Sequence, residues 1–190
     1  EGFARGYIHS NKVTCLISPC SSQRYGDQYN RSWSINNFAK LIKYLISLEN
    51  LQVIMTGGNS PPEQLYSKEL DDLFGNEILN LIGKTSIREM AALIKHSDFI
   101  ISPDSGPAHI ATIMGKPVIG LYAMSNPKRS GPYNSDEWLI NKYDQALKVF
   151  MDKSPTEVKF GQKIKQPEAM DLIETRDVIE KVERLIKHQS

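Results

Sequence analysis

The sequence predicts an α/β domain built on a doubly wound parallel sheet. Short β-rich runs recur at 13–18, 51–56, 78–82, 98–102 and 117–122, and each gap between them holds a helical pattern. The runs are apolar throughout rather than alternating, which is the mark of strands covered on both faces. In chain order, "VTCLIS" opens the sheet, with Cys15 expected in the core. The segment "SINNFAKLIKYLISLE" then spaces Ile35, Phe38, Leu41, Ile42 and Leu45 on one face, with Ser34 as the N-cap. The strand "LQVIMT" follows, then "ILNLI", then "SIREMAALIKHS", whose Ser86 and Glu89 form a capping box and whose Ile87, Met90, Ala91 and Ile94 point inward. After "DFIIS", the short pattern "AHIATIMG" stops at Gly115, two residues before Pro117. Beyond "PVIGLY" the stretch "MSNPKRSGPYNSDEW" reads as a loop, and "TRDVIEKVERLIKHQ" as a terminal amphipathic helix with Val178, Val182, Leu185 and Ile186 inward.

Composition narrows the function classes. The 190 residues are 40% apolar and 24% charged, normal for one domain with its own core. A net charge of +1 provides no global field for nucleic acid. Two cysteines, Cys15 and Cys20, are too few for a disulfide framework, and alone they make no zinc site. No run approaches the ~18 apolar residues of a spanning helix, so the expectation is a soluble cytoplasmic domain. Residues 1–12 lack a clear pattern and read as a linker or the remnant of a missing N-terminal domain; the domain proper is expected over 13–190.

Open parallel sheets bind ligands beyond the carboxyl ends of their strands. The polar residues there are "PCSSQR", "GGNSPPE", "GKTS" and "PDSGPAH". In the last, Ser105, Gly106 and Ala108 leave backbone N–H groups at a helix N-terminus, where the dipole favours an anion. His109 stands one turn in, and Asp104 either caps the helix or accepts hydroxyl protons. A capped helix with a satisfied histidine is the plainer alternative. Glu63 is the kind of carboxylate that takes both hydroxyls of a ribose, or else an ordinary first-turn Glu. "IGKTS" is not a P-loop, because Ile78 stands where that motif needs a glycine; Lys84 can still meet a ligand or simply be solvated. Ser21 and Ser22, with Arg24 and Arg31, suit a diphosphate. Trp33 is expected to be a packing anchor.

Taken in order, the "SS" loop, "RSW" before a helix, the "GG…E" loop, "LIGKTSIREMAALI" and "SDFIISPDSGPAHIATIMGKPVIGLY" resemble the family 9 glycosyltransferases. These are the heptosyltransferases of lipopolysaccharide synthesis and their relatives. The likeness covers most of residues 13–133, and Asp-Ser-Gly-x-x-His is its most specific part. The resemblance implies two facing Rossmann-like domains, the GT-B arrangement, with inverting transfer from a nucleotide diphosphate and no essential metal. This chain would then be the second domain, which holds the donor nucleotide. By motif, Ser21 and Ser22 would meet the phosphates, and Arg31 would stabilise the leaving diphosphate. Glu63 would take the ribose, Lys84 would lie at the same edge, and Asp104, Ser105, Gly106 and His109 would face the diphosphate and sugar. Ser105 replaces the commoner Thr and keeps the hydroxyl. The resemblance further implies an ADP-linked heptose donor, a lipid-linked saccharide acceptor and work at the cytoplasmic face of the inner membrane. The general base would belong to the missing N-terminal acceptor domain, so the chain alone is expected to be inactive. The alternatives are a non-catalytic nucleotide- or anion-binding module and a nucleotide-sugar epimerase of GT-B type.

Overall fold

The computed structural model describes residues 2–21 and 31–189. Six parallel strands form a single sheet in the order β3-β2-β1-β4-β5-β6. They are β1 (Val13–Ile17), β2 (Leu51–Met55), β3 (Leu79–Asn80), β4 (Phe99–Pro103), β5 (Val118–Tyr122) and β6 (Ile140–Asn141). The helices are α1 (Gly2–Arg5), α2 (Ile35–Ile46), α3 (Pro61–Phe74), α4 (Ile87–His96), α5 (Gly106–Ile113), α6 (Pro127–Ser130), α7 (Tyr143–Met151) and α8 (Thr175–Gln189). Every described connection between neighbouring strands is a crossover, so helices cover both faces and the central strands β1, β4 and β5 are apolar and buried nearly throughout.

The core divides at the sheet. On one face Phe38, Leu41, Ile42 and Leu45 of α2 pack with Val178, Val182 and Leu185 of α8, all buried. On the other, Leu93 and Ile94 of α4 and Ala108 and Ala111 of α5 pack over Leu16, Ile54 and Ile100. The segment expected to be a linker packs here: Ala4 of α1 is buried in this second cluster, and Gln52 Nε2 donates to the Tyr7 carbonyl (2.7 Å).

Several expectations are met at the level of single residues. Ser34 Oγ accepts from the Asn37 N–H (3.3 Å). Ser86 and Glu89 form the reciprocal capping box, which holds the Glu89 carboxyl below its usual range through the Ser86 N–H and hydroxyl. Gly115, with φ +67°, makes the left-handed turn that releases the chain from α5. Trp33 is fully buried and donates from Nε1 to the Ile173 carbonyl (3.0 Å).

Three expectations need correction. Ile87 is 75% exposed rather than inward, because it occupies the first position of α4, whose burial begins only at Leu93. The third strand is shorter than expected, with only Leu79 and Asn80 paired to β2. The stretch 124–138 is not simply a loop: α6 and a 3-10 turn at Asp136–Trp138 lie within it, and β6 and α7 follow.

Candidate functional site

The strand order changes direction between β1 and β4. From β1 the chain builds outward through β2 and β3, and from β4 through β5 and β6, so the loops after β1 and β4 part and leave a crevice. The Ser18 N–H donates to the Ile101 carbonyl (3.0 Å), which stitches the two strand ends together at the mouth of that crevice.

On the β4 side, α5 starts directly after the strand. Ser105 occupies the N-cap position, but its side chain does not cap; Ser105 Oγ lies 2.6 Å from Ser102 Oγ and shares a hydrogen with it. Among the described residues no side chain caps the first-turn N–H groups, which carry the partial positive charge of a helix start. Gly106 is exposed, and a Cβ there would meet nothing within 4 Å, so the ground in front of this backbone is open. His109 is exposed one turn further on.

Asp104 does not cap the helix. Its Oδ2 accepts from Ser130 Oγ (3.0 Å), and the Ser130 carbonyl in turn accepts from the Tyr122 hydroxyl (3.2 Å). The Tyr122 hydroxyl is held far above its ordinary value of 10.0, first by burial and then by the Asp104 carboxylate, while the Arg31 guanidinium pulls the other way. Arg31 and Asp104 thus come from separate strand ends to within electrostatic reach of one phenol. Sequence reasoning missed Ser130 and Tyr122. The polar run "SNPKRSG" after the fifth strand was the available signal, and it was read only as loop.

On the β1 side, Ser21 is buried, and its hydroxyl accepts from the Arg31 N–H (3.1 Å) while its own N–H donates to Ser32 Oγ (3.1 Å). This pair of bonds ties Arg31 and Ser32 back to Ser21, just beyond β1. Ser22 and Arg24 lie outside the described residues. Cys20, at the floor of the loop, has its thiol pushed up to about 12 by burial, with Ser32 lowering it and Glu63 adding to the rise.

Glu63 stands near this loop, but its carboxylate is occupied. Oε1 accepts from the Gly58 N–H (2.6 Å), and Oε2 accepts from the N–H (2.9 Å) and hydroxyl (2.6 Å) of Ser60. The spacing Ser60-x-x-Glu63 is a capping box that could have been read from the sequence. Gly58 is needed here, since a Cβ would fall 2.9 Å from Glu63 Oε2. Lys84 is not brought to the crevice. It is exposed after β3, two strand spacings (roughly 10 Å) from β1. There its Nζ donates to the Asn80 carbonyl (3.0 Å) at the rim of a depression of about 500 Å³ that also includes Asn59, Lys68 and Asp71. Among the described residues, no three His, Cys, Asp or Glu side chains are grouped to hold a metal ion.

The arrangement sets a helix N-terminus beside a carboxylate at the switch point of a parallel sheet. Comparison with known proteins gives it a family. The family model for glycosyltransferase family 9 (heptosyltransferase) matches residues 3–158, and the chain belongs to that family. Over 183 residues it is 34% identical to the lipopolysaccharide core heptosyltransferase OpsX of Haemophilus influenzae, covering 96% of this chain and 51% of the relative. Among solved structures, the family 9 glycosyl transferase of Veillonella parvula superposes with a TM-score of 0.71 at 19% identity, over 98% of this chain and 49% of that one. The ADP-heptose lps heptosyltransferase II of E. coli superposes at 0.69 and 20% identity, over 100% and 53%. The fold is therefore shared, and the chain spans about half the length of these relatives. No described helix is long and apolar enough to cross a membrane.

Proposed function

We propose that this chain is the donor-nucleotide half of an inverting, metal-independent glycosyltransferase that passes a heptose from ADP to a lipopolysaccharide core. The observation that carries the reading is the convergence at the β1–β4 switch point: the N-terminus of α5, uncapped by any described side chain, and Asp104 come from one strand, and Arg31, bonded to Ser21, from the other. Glycosyl transfer requires the departing nucleotide diphosphate to leave with its charge stabilised. A guanidinium can bind such a group through two parallel hydrogen bonds, and the helix N–H groups add donors that are already oriented. His109 can donate from one turn in, and Ser22 extends the hydroxyl pair of the first loop. Glu63 would reach a ribose only by releasing Ser60 or Gly58, and Lys84 would serve the outer edge of the nucleoside. Family membership supports the reaction class.

Inversion also needs a base on the far face of the sugar to deprotonate the acceptor hydroxyl. On this reading the base lies in the acceptor-binding half, in the part of the relatives this chain does not span, and the enzyme meets its acceptor at the cytoplasmic face of the inner membrane. The chain alone then binds nucleotide and transfers nothing.

Calorimetric titration with ADP, GDP and UDP, with and without EDTA, tests this. ADP is expected to bind irrespective of EDTA. Arg31→Ala should weaken it by roughly tenfold to a hundredfold, the worth of a charge-assisted contact, and His109→Ala by less. A folded chain that binds none of the three, or acceptor-dependent turnover by the chain alone, would overturn the reading.

A further inference from the structure

We propose that the edge formed by residues 126–131 and 159–165 is a docking surface for an anionic lipid bilayer. The two segments are held as one unit. Asn126 Nδ2 donates to the Phe160 carbonyl (3.4 Å), and the Ile164 N–H donates to the Met124 carbonyl (2.9 Å). The Tyr143 hydroxyl donates to the Gln162 carbonyl (2.7 Å). The Arg129 side chain lies across Gly161, where an added Cβ would sit 3.1 Å from its Nε.

What this unit presents is basic and aromatic. Lys128, Arg129 and Lys159 are exposed, and none forms an ion pair among the described residues. Of the acidic residues adjoining these segments in sequence, Glu157 accepts from the Ser154 N–H and hydroxyl (2.8 and 2.6 Å) and Glu168 is exposed; Asp104 is bound by Ser130. Phe160, 63% exposed, stands among the cations, and Tyr133, 83% exposed, follows α6.

A pocket for one phosphate would be concave and would bury its cations. Here the cations are exposed, and an exposed ring, Phe160, follows Lys159 directly in the chain. Clustered Lys and Arg around an exposed aromatic suit the headgroup layer of a negatively charged bilayer, each cation adding attraction and the ring entering the interface. The surface also abuts the crevice through the Ser130–Asp104 bond, so a docked bilayer would bring a lipid-linked acceptor to the edge that holds the donor. That last consequence rests on the function proposed above; the lipid contact itself does not.

Co-sedimentation with vesicles tests it, using phosphatidylcholine alone and phosphatidylcholine with about a third phosphatidylglycerol. The chain is expected to bind only the second and to be released by high salt. The combined Lys128→Ala, Arg129→Ala, Lys159→Ala variant should lose on the order of a hundredfold in partition. Phe160→Ser should also weaken it. A charge-matched control, Lys12→Ala, Arg88→Ala, Lys116→Ala, should bind like the parent. Failure to bind anionic vesicles, equal binding to both compositions, or equal loss in the two triple variants would each overturn the proposal. ADP titration of the same variants separates the two readings: vesicle binding without nucleotide binding would sink the donor function and leave the surface standing.

Discussion

Trp33 illustrates how much one side chain can hold at a distance. It is fully buried, its ring meets Phe38 edge-on at 5.2 Å, and its Nε1–H ends on Ile173, 140 residues away in sequence. Trp33→Phe strands that carbonyl and leaves a void, so urea unfolding should show a loss of roughly 2 to 4 kcal/mol. An unchanged midpoint would mean that the bond carries no weight. The anchoring role was legible in the sequence, since a Trp just ahead of an amphipathic helix has an apolar face to meet; its partner was not. The same divide runs through the site. Asp104, Ser105 and Gly106 could be picked out because they stand where an apolar strand stops and a helix begins. Ser130 could not, because its partner Asp104 lies 26 residues away and only the return of the chain after β5 joins them. Glu63 could be located by position and its bonds to Ser60 by spacing, but the Gly58 N–H that also occupies it comes from the backbone path after β2, which no spacing reveals.

At the scale of elements, caps were the most readable feature and edges the least. Ser86 and Glu89 satisfy donors at the start of α4 reciprocally, a purely local arrangement that three-residue spacing reveals. Ser86→Ala should cost about 1 kcal/mol, visible as a drop of a few degrees in the thermal midpoint. A midpoint equal to the parent's would indicate that water replaces the cap without loss. The central strands announced themselves by continuous apolarity. By contrast β6 is two residues long, too short for any periodicity, and β3, visible as the run 78–82, pairs at only two residues; both lie where β2 and β5 offer unpaired edges. Ile87 was misread for a related reason. Its helical period is right, but its turn of α4 extends past the packed part of the face.

The whole molecule carries a pH dependence set by groups buried as neutral acids. Burial pushes Cys20 from 9.0 to about 12 and Cys15 well above 9.0, and Tyr66 and Tyr122 likewise rise above 10.0. The folded state therefore keeps protons that the unfolded chain gives up, so this contribution is complete below the ordinary thiol value and is lost as pH climbs beyond it. Urea midpoints measured from about pH 8 to 11 should fall steadily through the upper half of that range. A flat profile would show these groups to be open to water. The position of β1 at the centre of the sheet bears on how the chain reaches this state. Its flanking strands lie 38 residues away in sequence on one side and 84 on the other, as the Thr14 contacts to Gln52 and Asp98 mark. No hairpin can nucleate such a sheet, because each pairing closes a long loop before contacts reward it. During synthesis β1 thus waits for β4, and in that interval its apolar faces need shielding by a chaperone.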